Sequence, residues 1–363
     1  MDKIAEIWNR VERSLFPHLQ ECLPLMTQRH RLLAMVLDVV QIERFVRPYW
    51  MQLRGRKRED RKALARAFVA KACYNEPTTK SFLDRLRVDE TLRRICGWEM
   101  RSQIPSESTF SRAFAEFAEA GLGDVVHEAL VKTYLGEDVF WHVSRDSTEI
   151  DAREKPVAKP EKAPKPKYRR GRPKKGEERP KPELTRIERQ LTQTVAEAIA
   201  ELPVACDVGT KIDSKGSKRH WVGYKLHVDM GDGGIPLSAV TTSASVHDSQ
   251  VAIPLARLTA ERAESLYDLM DAAYDAKLIR GFCHQLGHVA IIPQSARHGK
   301  VEPMEPDRAR RYNNRTASER FNSRLKDDLG GRMVRVRGKP KVHMHLMFGV
   351  LVIFAEALLG LVS

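Results

Sequence analysis

Cysteine is scarce in this sequence, and what there is does not cluster. The 363 residues hold five, at Cys22, Cys73, Cys96, Cys206 and Cys283, with no CxxC pair. That spacing argues against a disulfide framework or a thiolate zinc site, and fits a reducing cytoplasm. No GxxxxGK[ST] loop is present, so nothing predicts a P-loop phosphate cradle. The first residues, Met1 to Ile7, lack the basic and apolar regions of a signal peptide. Long apolar runs are missing except for Leu346 to Val362, which contains Glu356 and Gly360 and barely reaches spanning length. It reads as a buried core helix. Negative charge is also in deficit: 62 Lys and Arg face 48 Asp and Glu, a net of +14. Such a balance calls for a polyanionic partner, most simply nucleic acid, with an anionic membrane surface as the rival.

Residues 1–136 read as all helix. Apolar residues recur at helical spacing in Ile4, Ile7, Trp8, Val11 and Leu15, again from Leu32 to Val39, and again in Arg61 to Cys73. Ser and Thr precede the later apolar runs, at Thr78 and at Ser106, as N-caps do. Short helices joined by polar turns suit a helix-turn-helix unit, and Ser108, Thr109 and Arg112 are placed to face a DNA groove. A plain helical bundle accounts for the same pattern.

The composition changes near Asp138. Val139 to Ser144 is apolar and β-branched, a buried strand by pattern, ending in Arg145-Asp146-Ser147. An Asp past a strand end is well placed for chemistry, and it is also a common turn residue. Residues 152–182 then hold seven prolines and thirteen Lys or Arg against four Glu. This is a disordered basic insert by composition. Its Arg170-Gly171-Arg172-Pro173 core looks like an AT-hook, whose arginines Arg170 and Arg172 suit a narrow minor groove or nonspecific phosphate contact. A polar helix is expected over 183–202. Lys218 to Asp229 and Ile235 to Val246 read as a hairpin about a Gly-rich turn. A helix from His247 to Leu258, a strand Ser265 to Met270, a helix Ala276 to Leu286 and a strand His288 to Pro293 follow. Asp271-Ala-Ala-Tyr274-Asp275 directly follows the third of these strands. His227, His247 and Asp248 fall near it and are read as structural.

The last stretch with chemical character is Tyr312 to Lys326. Wound as one helix, it puts Tyr312, Arg315, Glu319 and Lys326 on one stripe, with Phe321 and Leu325 opposite. A carboxylate flanked by cations and a phenol suits a metal-bound phosphodiester. A solvated helix with an Arg315–Glu319 salt bridge explains the same charges.

The spacing Tyr-(2)-Arg-(3)-Glu-(6)-Lys resembles the Tyr-Arg-Glu-Lys signature of bacterial insertion-sequence DDE transposases. Asp271-Ala-Ala-Tyr-Asp is similar to the Asp-x-x-Tyr-Asp of that family. The resemblance covers roughly Thr78 to the C-terminus. It departs from the family in the long insert after Asp146 and in lacking a strand-rich insert before Glu319. It implies an α/β RNase H-like mixed sheet flanked by helices over 137–363, preceded by a helical DNA-binding domain. It implies Asp146, Asp271 and Glu319 as catalytic carboxylates holding Mg²⁺ or Mn²⁺, two ions in all, and Tyr312, Arg315 and Lys326 as DNA contacts. Two such ions about 3.5–4 Å apart serve phosphodiester chemistry by activating the attacking oxygen and stabilising the leaving one. The expected activity is cut-and-paste DNA transposition: cleavage at the element's inverted-repeat ends and strand transfer into target DNA. The expected partners are double-stranded DNA and a second subunit in a homodimeric synaptic complex, in the bacterial nucleoid and with no membrane. An RNase H-like nuclease without strand transfer and a domesticated, inactive DNA-binding protein stay open as alternatives.

Overall fold

A computed structural model describes residues 6, 7, 9–23, 25–47, 59–158, 183–212, 216–295 and 301–361. Most of the basic insert, with Arg170 and Arg172, lies outside them.

The N-terminal part is helical, as its periodicity predicts. Its main helices are Gln28–Val40, Arg61–Cys73, Thr79–Val88, Glu90–Cys96, Glu107–Glu119 and Leu122–Leu135. The expected cap forms at Thr78 but not at Ser106, which sits at the N-cap position of its helix with no side-chain bond to a backbone amide. Thr78 accepts from the Ser81 amide in a capping box, and Asp89 accepts from the Leu92 amide.

Seven strands form one mixed sheet: β1 Val139–Ala152, β2 Asp207–Ile212, β3 Lys218–Gly231, β4 Ile235–Ser243, β5 Glu264–Met270, β6 Val289–Ile291 and β7 Met333–Val334. The main order is β4-β3-β1-β5-β6, with β3 and β4 an antiparallel hairpin and β5 and β6 parallel to β1. With helices packed on this sheet and an all-helical part before it, the architecture is α/β and RNase H-like.

Strand β1 is longer than its apolar stretch suggests. The expected strand stops at Ser144, yet pairing continues to Ala152 through Arg145-Asp146-Ser147-Thr148-Glu149. The polar half pairs with β3 on one edge, from Ser144 opposite Met230 to Asp151 opposite Gly223. On its other edge β1 pairs with β5 only as far as Arg145 opposite Met270, and with β7 from Asp151 onward. The edge between is open, and Asp146 is its first residue. Gly223 is required where β3 crosses the end of β1, because a Cβ there would lie 2.1 Å from the Ile150 carbonyl oxygen.

Three other expectations are revised. The helix over 183–202 is two short ones, Arg186–Gln190 and Val195–Ala200, because Thr194 caps the second with Glu197. Strand β2 was not foreseen; its six residues include a Gly and an exposed Val208, too weak a pattern to register. The Tyr312–Lys326 stretch is not one uniform helix: Pro306–Tyr312 passes through a 3₁₀ turn, Asn313–Arg315, into Thr316–Asp328.

The apolar C-terminal helix, Lys339–Gly360, is long and apolar enough to cross a membrane, but most of it is buried inside the protein. It lies between the helical part and the sheet. Phe348 stacks on Phe68 at 5.5 Å between ring centroids. His343 bonds Thr241 of β4 at 2.8 Å and Asp124 of the helix Leu122–Leu135 at 2.8 Å.

Candidate active site

The open edge of β1 positions the acidic residues. Arg145 and Met270 are the last residues at which β1 and β5 pair, so Asp146, still inside β1, and Asp271, just past the end of β5, stand at the same level on adjacent parallel strands. Asp271 then caps a 3₁₀ turn, accepting the Ala273 amide at 2.8 Å. The strands are locked just below this level. The buried Arg145 guanidinium makes a bidentate pair with Asp229 of β3, at 2.8 and 2.7 Å, and reaches Asp268 of β5 at 3.5 Å. Thr259 donates to Asp229, and His288 bonds Asp268 at 3.0 Å. Thus three strands are tied together one step before the two carboxylates emerge.

The helix Thr316–Asp328 crosses above. It is pinned to β1 by Ser144 and Ser318, whose hydroxyls lie 2.9 Å apart and both reach the Arg315 carbonyl. This attachment brings Arg315 within 3.6 Å of Asp146 Oδ1 and sets Asn322 Nδ2 3.1 Å from Asp146 Oδ2. The same Arg315 donates to Glu319 Oε1 at 2.6 Å. Arg315 therefore bridges the strand carboxylate and the helix carboxylate, and its guanidinium lies 5.9 Å from the Tyr312 ring centroid. Lys326 lies further along β1, 3.0 Å from Glu149.

The electrostatics follow from burial. Desolvation pushes the Asp146 carboxyl up to about 6, with Asp271 and Asp248 adding to the shift and Arg315 opposing it. Burial and the Asp248 charge also raise Asp271. Burial among Asp248, Asp146 and Asp271 drives the Tyr274 phenol well above its ordinary value. Asp248, read from sequence as structural, takes bonds from Lys225 and Ser147, both at 2.8 Å. Against the cost of burial, His227 and Lys225 hold it below the usual carboxylate range.

The structure thus brings Asp146, Asp271, Arg315, Glu319 and Tyr312 into one electrostatic neighbourhood and sets Lys326 at its side. Among the described residues no three His, Cys, Asp or Glu side chains sit close enough to hold a metal ion as they stand. Glu319 is half exposed and turned to Arg315. Sequence reasoning missed Ser144, Ser318 and Asn322. Ser318 and Asn322 fall at small or polar positions inside the signature stretch, and their spacing from Arg315 and Glu319 is the only signal of them.

Ser108, Thr109 and Arg112 lie at the start of the helix Glu107–Glu119, far along the chain from the carboxylates. Ser106 Oγ lies 3.0 Å from Ser108 Oγ and 3.1 Å from Thr109 Oγ1, and Arg112 donates to the Ser108 carbonyl. They line a polar groove shared with Asp60, Glu99 and Glu116.

The transposase DDE domain family matches residues 188–355, and a transposase domain of unknown detailed role (DUF772) matches residues 17–116. Between them the two take in most of the chain, and both describe transposases, consistent with a DDE transposase of an insertion sequence. The DDE match begins after the insert, so Asp146 lies outside it; the pairing of β1 with β5 is what places Asp146 beside Asp271. No curated protein and no solved structure matches the chain.

Proposed function

We propose that this transposase cleaves DNA at the ends of its element and joins those ends to target DNA, with Asp146, Asp271 and Glu319 as its catalytic carboxylates. The observation that carries the reading is that Asp146, inside β1, and Asp271, at the end of the adjacent parallel strand β5, lie at one level beneath a helix bearing Arg315 and Glu319. DDE transposases work with divalent metal ions. The donor set here suits Mg²⁺ or Mn²⁺, because all three side chains offer hard carboxylate oxygens. Burial raises the proton affinity of both strand carboxyls, with the Asp271 charge adding to it at Asp146 and the Asp248 charge at Asp271, the situation a cation relieves. A pair of such ions would supply activation of the attacking oxygen and stabilisation of the leaving one.

The remaining work belongs to the chain. Arg315 holds Asp146 and Glu319 in register in the free protein, and its second role is to grip a phosphate oxygen when DNA arrives. Tyr312 offers a hydroxyl beside it. Lys326, held by Glu149, contributes a cation on the flanking side. Exchange of one phosphodiester for another needs no nucleotide cofactor. The reading includes a homodimer that pairs two DNA ends.

Changing Asp271 to Ala should abolish metal-dependent cleavage of end DNA while leaving DNA binding intact. Cleavage retained in that variant would overturn the assignment.

A further inference from the structure

A groove opens beside the candidate site. It encloses about 550 Å³ between the helical part and the catalytic sheet. It is lined by Lys71, Thr78 and Thr79 from the helical part and by Arg153, Lys326, Arg332 and Arg335, of which Lys326 is tied through Glu149 to the strand that carries Asp146. Its floor is closed by Asn75, which donates to the Asp327 carbonyl at 2.8 Å, and by His345, bonded to the Gly330 carbonyl at 3.0 Å.

Arg153 and Arg335 are placed by their backbone alone, whereas Arg332 also pairs with Asp327. Arg332 and Arg335 flank β7, and Arg153 follows β1, its amide bonded to the Val334 carbonyl at 3.1 Å. Strand pairing thus spaces three guanidinium groups along the groove. Arg153 and Arg335 are exposed, and neither pairs with a carboxylate among the described residues. Of the groove's two acids, Glu76 is engaged by Arg85 at 2.6 Å and Asp327 by Arg332. Lys71 lies at the base with its ammonium donated to the Glu76 carbonyl, and burial pushes it down to about 8, opposed by the nearby Glu76 charge. Cations in excess, held on rigid elements beside a phosphodiester site, match the regular negative charge of a duplex backbone.

We propose that this groove is the track for the sugar-phosphate backbone of the duplex flanking the scissile bond, gripped by Arg153 and Arg335. The proposal rests on the DNA-cleaving reading of the site and adds the direction in which the duplex leaves it, from Lys326 toward the helical part.

The test measures binding of the full-length protein to a duplex carrying the element's end, across a series of salt concentrations. Replacing Arg153 and Arg335 together by Ala should lower affinity by about 10- to 100-fold at low salt and reduce the salt slope by about two units, one for each lost phosphate contact. Replacing both by Lys should restore most of the slope, because the contact is with charge. Both side chains are exposed, so thermal unfolding should be unchanged. A wild-type slope in the Ala pair would overturn the groove while leaving the function standing. So would a lowered slope that Lys does not restore. Wild-type protein that fails to bind DNA at all would overturn the function itself.

Discussion

Asp146 is the residue whose energetics say most. Its carboxyl ordinarily titrates at 3.8, and burial raises it to about 6 in the folded chain. A carboxyl raised on folding binds its proton more tightly when folded. The stability it contributes is present below pH 3.8 and lost as pH rises through about 6. The folded, metal-free protein therefore carries a strained charge at neutral pH. Asp146→Asn should stabilise metal-free protein at pH 7.5 by on the order of 2 kcal/mol, with the gain vanishing near pH 4. Denaturant unfolding in chelator at the two pH values checks this, and a variant less stable at pH 7.5 would contradict it. Added Mg²⁺ should stabilise the wild type and not this variant. At this scale the signature residues were legible because their spacing is regular. Ser144, Ser318 and Asn322 were not, since a serine that pins a helix to a strand looks in sequence like any small polar residue.

The elements were legible wherever period and caps agreed. Arg61–Cys73 and the hairpin of β3 and β4 fall close to where apolar spacing and the Gly-rich turn put them. The second half of β1 was hidden because a run of Arg, Asp, Ser, Thr and Glu does not alternate as a half-buried strand should. It is a strand because Arg145 is buried as one partner of an ion-pair network, which no hydropathy pattern anticipates. That network carries a prediction. Arg145→Ala would leave Asp229 and Asp268 buried without their cation, costing about 3–5 kcal/mol. Urea unfolding measures it, and a loss under 1 kcal/mol would show the strands are held by packing alone. A second prediction concerns helix approach. Gly349 faces Leu325 on the helix of Glu319, where a Cβ would lie 2.6 Å from Leu325 Cδ1. Gly349→Val should push that helix off β1 and cut DNA cleavage more than DNA binding, as paired cleavage and binding assays would report.

For the whole molecule, the C-terminal helix is the joining element, packed between the helical part and the sheet. The sequence showed a buried helix there but not its neighbours, since an apolar run carries no record of which surfaces it meets. Charge distribution was legible in total and not in place. The insert accounts for most of the excess, nine of the fourteen net charges between 152 and 182, whereas the groove cations come from three distant stretches, near 71, at 153 where the insert begins, and from 326 to 335, that only folding assembles. Deleting residues 155–182 should lower affinity for end DNA and random DNA by similar factors, because a cationic segment of this composition gains from counterion release on any duplex. Substituting Ser108, Thr109 and Arg112 together should instead lower affinity for end DNA preferentially. Competition binding with both DNAs distinguishes them; a deletion that removed the preference for ends would reverse the two roles.

The central claim is that Asp146, Asp271 and Glu319 act as one site that both cuts and joins DNA. The most direct measurement offers the purified protein a pre-cleaved end with a free 3′-OH and a supercoiled target plasmid in Mg²⁺, and follows covalent joining. The account predicts joined product with the wild type, and its loss to a similar extent in Asp146→Asn, Asp271→Asn and Glu319→Gln, since residues acting as a unit fail together. Target DNA nicked without joining, or joining at wild-type rate in the Glu319 variant, would contradict it.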